Sequence, residues 1–98
     1  MRQEAPANFD TYTRVEGNRG KIVIDALDKD ASYLNFLQLQ SKVVGPDNKA
    51  VPVKFTQTGP GHYEAEFDAD QSGQYLAGIQ VSDRGEFRGS IRTGFSIP

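Results

Sequence analysis

The sequence predicts an all-β sandwich, and three features carry that prediction. Polar and apolar residues alternate with a period of two along most of the chain, which is typical of strands with one face in water. Ten glycines and five prolines are spread through the 98 residues and separate the alternating stretches. These turn-forming positions recur about every 8–12 residues, the spacing expected of short sandwich strands, and no helical period intervenes.

The N-terminal part of the chain contains two candidate strands. The first, at 9–15, is a weak candidate that we expect to form a sheet edge. The second, at 21–28, alternates clearly. Because Asp25 marks the face in water, Ile22 and Ile24 on the other face are predicted to point into the core.

Two further strands are predicted in the central part of the chain. One spans 33–44, where Phe36 breaks the alternation and predicts a β-bulge or a second packing role. The other spans 51–57. Pro52 has no N–H to donate to a neighbouring strand, so it confines its end of this strand to a sheet edge.

The C-terminal part has the clearest alternation, with strands predicted at 61–68, 74–82 and 86–97. The last of these places Phe87 and Phe95 on its apolar face. About seven antiparallel strands result, which is typical of an immunoglobulin-like sandwich. The predicted core comprises Ile22, Ile24, Leu37, Leu39, Phe55, Phe67, Ile79, Val81, Ile91 and Phe95.

The size and composition of the chain narrow its class. We expect residues 1–98 to form one domain cut from a longer chain, with 1–18 contributing only a weakly defined N-terminal edge strand. A net charge of −2 with interspersed signs argues against nucleic acid. No apolar stretch approaches the roughly 20 residues that insert into a bilayer. The absence of cysteine excludes disulfides and thiolate chemistry.

The segment from Asp70 to Ala77 predicts a tyrosine corner. A turn is followed by Tyr75 at the start of a strand, where a phenol can bond back to the backbone of the turn. The alternative is an ordinary inward-facing ring. If the corner forms, Tyr75→Phe destabilises the fold more than Tyr63→Phe, whose hydroxyl is expected to reach water.

The single histidine, His62, falls on a wet strand face beside Glu64. Its sequence neighbours offer no partner at a spacing useful for a base or a metal ligand, so we interpret it as a surface histidine. Motifs for a serine nucleophile, a zinc protease or a phosphate-binding glycine loop are absent. The sequence therefore predicts no enzyme, no catalytic residue and no cofactor-binding residue.

Aspartates cluster near the predicted turns and suggest a calcium hypothesis. They are Asp28, Asp30, Asp47, Asp68, Asp70 and Asp83. Calcium takes about six to eight converging oxygens, whereas aspartate is also a common turn residue without any ligand. We favour the second interpretation and predict no metal site.

Four arginines, Arg14, Arg84, Arg88 and Arg92, suggest a cationic stripe for an anionic partner. Glu86 lies between two of them on the same predicted face. Charges on a wet sheet face usually serve solvation and edge protection. The stripe is therefore the less favoured interpretation.

Two functional hypotheses remain open at this point. The favoured one is a structural or interaction module that packs against neighbouring domains or a protein partner. The alternative is a carbohydrate- or ligand-binding sandwich, with Tyr12, Tyr33 and Phe36 as candidates for an exposed platform. A flat cluster of exposed rings favours the alternative.

Two Gly-x-Tyr units, at 61–63 and 73–75, bracket two adjacent predicted strands. Their spacing resembles that of filamin-type immunoglobulin repeats, and the likeness covers about half of the chain.

A second resemblance joins five segments, 24–28, 34–37, 44–47, 57–65 and 93–96. Together they resemble a C-terminal region of large bacterial membrane proteins that combine a von Willebrand factor A-like part with a glutamine-amidotransferase-like part. The resemblance implies an accessory sandwich in a multidomain, membrane-associated protein, on the extracytoplasmic (periplasmic) side. It transfers no catalytic residue, because the chemistry of those proteins belongs to their other parts.

Overall fold

The computed structural model describes residues 8–27 and 32–98, which form eight β-strands. The strands are β1 (Asn8–Glu16), β2 (Arg19–Leu27), β3 (Gln38–Val44), β4 (Ala50–Lys54), β5 (Thr56–Gly59), β6 (His62–Asp68), β7 (Gly73–Asp83) and β8 (Glu86–Ile97). The predicted end of the second strand, at residue 28, lies outside the described residues. Within the described ranges there is no helix, and so none that could cross a membrane.

The strands are arranged in two antiparallel sheets of four strands each. Sheet A has the order β1–β2–β6–β5, and sheet B has the order β4–β3–β7–β8. The fold is an immunoglobulin-like sandwich, as the period-two alternation predicts. The weak N-terminal candidate forms β1 at an edge of sheet A.

The apolar faces of the two sheets pack against each other and contain all ten predicted core residues. Half of these residues are buried, the other half are partly buried, and none is exposed. The buried residues form two clusters, one around Ile22 and Phe67 and one around Ile24 and Ile79. Phe55 packs against both clusters.

The strand predicted at 51–57 is two strands in different sheets, so the count is eight rather than seven. β4 pairs with β3 in sheet B, and β5 pairs with β6 in sheet A. The chain crosses between the sheets at Phe55. Alternation continues through such a crossing, and it therefore gives no sign that the strand has changed sheets. Pro52 lies in β4, an edge strand as predicted.

The predicted inward position of Phe87 is wrong, because the ring is 63% exposed. Val81 pairs with Gly89, but Ser82 pairs with Phe87, which leaves Arg88 as an extra residue in β8. Such a β-bulge inverts the alternation on one side of it. Phe87 therefore shares the outer face of sheet B with Ser82.

The third strand begins at Gln38 rather than at residue 33. Leu37 and Leu39 are partly buried against the core, as predicted. Phe36 forms neither a bulge nor a packing contact with the core. Its backbone is left-handed, with φ of 60°, and its side chain is 85% exposed.

Candidate functional site

Residues 33–37, termed here the aromatic loop, precede β3 at one end of the sandwich. Tyr33 forms a single antiparallel bridge with Leu27, the last residue of β2. Leu34 donates its N–H to the carbonyl of Ala26 at 3.1 Å. Two rings project into solvent from this loop, because Tyr33 is 62% and Phe36 is 85% exposed.

The hydroxyl of Tyr63 fixes the aromatic loop from inside the sandwich. It donates to the carbonyl of Leu34 at 2.7 Å and accepts from the N–H of Leu37 at 3.0 Å. The side chain is only 2% exposed, and this burial raises the pKa of its phenol above the ordinary value of 10.0. The expectation that this hydroxyl reaches water is therefore wrong.

Two amide side chains fix the loop from the outside. The Oε1 atom of Gln57 accepts from the N–H of Phe36 at 2.9 Å, and its Nε2 atom donates to Oδ1 of Asn35 at 2.7 Å and to the carbonyl of Gly59 at 2.9 Å. Oδ1 of Asn35 also accepts from the N–H of Gly61 at 3.0 Å. The loop is thus bonded to β5 and to the β5–β6 turn.

Gly61 makes this close approach possible. Its φ is +63°, and a Cβ at this position would lie 2.6 Å from the carbonyl oxygen of Ala26 and 2.8 Å from Cδ1 of Tyr33. A side chain at residue 61 would therefore be strained and would push the aromatic loop away.

The backbone conformation of Phe36 is costly for the isolated domain. Left-handed backbone is disfavoured for a residue with a Cβ, and strain of this kind costs about 1–3 kcal/mol. It persists only where the surroundings fix it, as the hydrogen bonds at Phe36 and Leu37 do here. Backbone strain combined with an exposed apolar ring indicates a role outside the stability of the fold.

A network of charged and polar groups lies on the outer face of sheet A. Nδ1 of His62 lies 2.6 Å from Oδ1 of Asp25, and Nε2 lies 2.9 Å from Oε2 of Glu64. The hydroxyl of Tyr12 donates to Oδ2 of Asp25 at 2.6 Å, and Lys21 lies 3.3 Å from Glu64. Asp25 and Glu64 thereby contact the two nitrogens of one imidazole, and Tyr12 and Lys21 contact those carboxylates in turn.

These contacts shift the pKa values of His62, Asp25 and Glu64 toward the charged forms and that of Tyr12 toward the neutral phenol. The hydrogen bonds to Asp25 and Glu64 raise the pKa of His62 above its ordinary 6.5. The hydrogen bonds from Tyr12 and His62 lower the pKa of Asp25, and those from His62 and Lys21 lower the pKa of Glu64. The bond to Asp25 raises the pKa of Tyr12.

The arrangement does not suit His62 for catalysis or metal binding. Each ring nitrogen is occupied by a carboxylate, so neither is available as a base toward a substrate. The carboxylates of Asp25 and Glu64 lie on opposite sides of the ring and do not converge on one point. The sequence interpretation missed Asp25 as a partner. Strand pairing supplies it, because Asp25 and His62 are register partners in β2 and β6.

The four arginines do not form the suggested stripe. Arg84 pairs with Asp83 at 3.6 Å, and Arg88 pairs with Glu86 at 3.3 Å. Arg14 belongs to β1 in sheet A, so it lies in the other layer from Arg92 in β8.

The aspartates of the calcium hypothesis are only partly described. Asp28 and Asp30 lie outside the described residues. Oδ1 of Asp47 accepts from the N–H of Lys49 at 3.1 Å, which is the turn role that favoured the simpler interpretation. Across the described ranges, no three acidic or histidine side chains are grouped so as to hold a metal ion.

The predicted tyrosine corner is present. The hydroxyl of Tyr75 donates to the carbonyl of Gln71 at 2.8 Å, and the N–H of Gln71 donates back to the hydroxyl at 3.2 Å. The ring of Tyr75 stacks on Phe95 with centroids 5.3 Å apart.

The exposed aromatic rings do not form one flat platform. Tyr12 lies on the outer face of sheet A and is bonded to Asp25, whereas Tyr33 and Phe36 belong to the aromatic loop. The ring pairs formed by the described part of the chain all lie among the core rings of Phe67, Tyr75 and Phe95.

Comparison with known proteins identifies the architecture. No protein-family model matches the chain. No curated protein matches it in sequence. Among solved structures, the chain is similar to the filamin domain of Lin-41, with a TM-score of 0.64 and 17% identity over 97% of this chain and 98% of that one.

A second similar structure is a DUF4426 family protein from Pseudomonas aeruginosa PAO1. The TM-score is 0.66 and the identity 18%, over 82% of this chain and 65% of the other. At these identities the likeness concerns the fold alone. The chain therefore has an immunoglobulin-like sandwich fold of the kind found in a filamin domain.

Proposed function

We propose that the chain is a non-catalytic structural or interaction module of a larger, multidomain, membrane-associated protein. It packs against a neighbouring domain or a protein partner, and the aromatic loop forms the contact. One observation carries this proposal: Phe36 is 85% exposed and is held in strained backbone by hydrogen bonds from the rest of the domain.

The physical properties of the loop suit a protein contact. Aromatic side chains are enriched at the centres of protein interfaces and dominate their binding energy. Burying a phenylalanine side chain contributes about 1.5–3 kcal/mol. Because Tyr63 and Gln57 fix the loop in advance, little conformational entropy is lost when a partner covers it.

The larger protein is proposed from the sequence resemblance alone. Segments such as 24–28 and 57–65 resemble the C-terminal region of large bacterial membrane proteins. An extracytoplasmic position follows from the same resemblance. The similar Lin-41 structure is itself a filamin domain, which agrees with the fold that the first sequence resemblance implies.

Thiol labelling tests the aromatic loop as the contact. The chain has no cysteine, so one introduced thiol reports on one position. Phe36→Cys is compared with Gln74→Cys, which places the thiol at an exposed position of β7 at the opposite end of the sandwich. Maleimide labelling rates are measured in the isolated domain and in the parent protein with its own cysteines replaced.

We expect the thiol at residue 36 to be labelled at least about tenfold more slowly in the parent, which corresponds to about 1.4 kcal/mol of protection. The rate at residue 74 should not change. Equal labelling rates at residue 36 in the isolated domain and in the parent protein would show that the aromatic loop is not the contact.

A further inference from the structure

The charges of the molecule are divided unequally between the two sheets. The strands of sheet A contain six carboxylates and three cationic side chains, whereas those of sheet B contain four cationic side chains and two carboxylates. These two carboxylates, Asp83 and Glu86, lie at the β7–β8 turn and pair with Arg84 and Arg88. The rest of sheet B is therefore free of acidic residues, although the whole chain has a net charge of −2.

Three cationic side chains remain on the outer face of sheet B: Lys42, Lys54 and Arg92. All three are exposed, and the described residues provide no ion pair for any of them. On sheet A, by contrast, two of the three cations are paired with glutamates. Positive charge that the fold does not neutralise is thus concentrated on one face.

Lys42 and Arg92 lie in one row across sheet B, on either side of Gly78. Neighbouring strands are about 4.8 Å apart, so the Cα atoms of the two cations are roughly 10 Å apart. Gly78 leaves the space between them open, because a Cβ at this position would meet no atom within 4 Å. A trough of about 730 Å³ results.

The next row along the strands supplies neutral polar groups. It contains Gln40, Gln80 and Ser90, which are exposed and line the same trough beside Lys54. Amide and hydroxyl groups both donate and accept hydrogen bonds, as sugar hydroxyls do, whereas the cations require an anionic group. A ligand that carries both hydroxyl and anionic groups can therefore contact the cationic row and the neutral polar row at the same time.

We propose that this surface, termed the cationic face (Gln40, Lys42, Lys54, Gly78, Gln80 and Arg92), binds an acidic polysaccharide. The carboxylates of the polysaccharide lie against the three cations, and its hydroxyls bond to the glutamine amides and to Ser90. The chain of sugars follows the trough over Gly78.

Other polyanions fit this face less well. Protein interfaces are enriched in aromatic residues and depleted in lysine, whereas the trough contains lysines and no aromatic side chain. Affinity for nucleic acid comes mainly from counterions released as phosphates are neutralised, and three cations release few of them. The proposal does not rest on the aromatic loop, which lies at one end of the sandwich.

Titration with polygalacturonate tests the cationic face. Backbone amide signals of the isotope-labelled domain are followed by NMR, with neutral dextran and poly-glutamate as comparison polymers. We expect saturable shifts that centre on Gln40, Gly78 and Gln80, with no response to dextran. Raising the salt from low values to about 0.15 M should weaken binding, because exposed charges are screened.

Matched variants distinguish binding at this face from non-specific attraction to positive charge anywhere on the protein. Lys42→Gln with Arg92→Gln should weaken binding about fivefold or more, the effect of losing two exposed ion pairs. Arg14→Gln with Lys49→Gln removes the same charge away from the face and should leave the affinity unchanged. Gly78→Val keeps every charge but fills the trough, and it should also weaken binding.

The fold of each variant is checked by urea unfolding. Gly78 has no left-handed φ, so valine is expected to be tolerated there. Absence of saturable binding to polygalacturonate would overturn the proposal, and so would an equal loss in the Arg14/Lys49 control. Tighter binding of poly-glutamate would replace the polysaccharide with an acidic peptide and would equally overturn it.

Discussion

At the scale of single residues, the hydroxyls of Tyr63 and Tyr75 each fix one connection between strands by bonding to its backbone. Tyr75 makes two partly buried bonds to the backbone of Gln71, only four residues away, so its hydroxyl holds a single local turn. Tyr63 bonds to Leu34 and Leu37, 29 and 26 residues away, and both bonds are partly buried. We therefore expect Tyr63→Phe to lower the free energy of unfolding by about 1–3 kcal/mol, at least as much as Tyr75→Phe.

This expectation reverses the order that the sequence predicts, and urea unfolding of the two variants decides between them. Phenylalanine keeps the apolar ring in both cases, so each comparison reports on a hydroxyl alone. Amide hydrogen exchange at Leu37 should accelerate only in Tyr63→Phe, because its N–H loses its acceptor. A larger drop for Tyr75→Phe would restore the original order.

Phe36→Gly should stabilise the isolated domain. Left-handed backbone costs a residue with a Cβ about 1–2 kcal/mol, and the greater freedom of glycine in the unfolded chain offsets about 0.5–1 kcal/mol of that gain. A net increase of about 0.5–1 kcal/mol in the free energy of unfolding should appear in urea melts.

Gln74→Gly is the matched control for Phe36→Gly, since residue 74 is also exposed but lies within a strand without left-handed φ. It should destabilise the domain. A destabilising Phe36→Gly would mean that the ring supports the fold and that its exposure carries no functional argument.

The residue scale also shows where sequence reasoning stops. Tyr75 was predictable because its partner lies in the preceding turn. The bonds that join Tyr63 and Gln57 to the aromatic loop span more than 20 residues, and no local sequence pattern encodes them. The break in alternation at Phe36 marks an irregular position, but it does not distinguish a bulged residue from an exposed one.

At the scale of elements, alternation located the strand-forming segments but merged β4 and β5 into a single strand. A half-buried strand alternates because one face contacts water and the other packs on the core. The inward residues of β6 and β7 were therefore predictable. The crossing at Phe55 preserves alternation and was missed. The bulge at Arg88 interrupts alternation by one residue, and it became visible only from the pairing of β7 with β8.

The acidic turns are expected to be independent of calcium. Oδ1 of Asp47 already accepts a backbone N–H, and Asp83 is paired with Arg84. Calcium binding to the folded form would raise the melting temperature, and we expect millimolar calcium to shift it by less than about a degree. A saturable upward shift would identify the aspartate turns as a site.

At the scale of the whole molecule, the two faces and the end of the sandwich differ in character. Sheet A carries an excess of carboxylates, sheet B carries unpaired cations, and the end near β3 carries two exposed rings. Composition alone gives a small negative charge and conceals this division. Strand order assigns each charge to a sheet, and strand order depends on long-range pairing that no short motif encodes.

The His62 network makes the stability of the molecule dependent on pH in two directions. The folded pKa of His62 lies above 6.5, so its contribution is fully present below pH 6.5 and is lost as the pH rises through the folded value. The folded pKa values of Asp25 and Glu64 lie below 3.8 and 4.5, so their contributions are present above those values and are lost as the pH falls through the folded ones.

The network should therefore stabilise the domain most between about pH 4.5 and pH 6.5. His62→Gln should remove the loss on the alkaline side but keep part of the loss on the acid side, because Tyr12 and Lys21 still bond to the carboxylates. Urea unfolding across this range measures both effects. NMR titration of the only histidine gives its pKa directly, and a value at or below 6.5 would show that the two carboxylates do not hold the imidazolium.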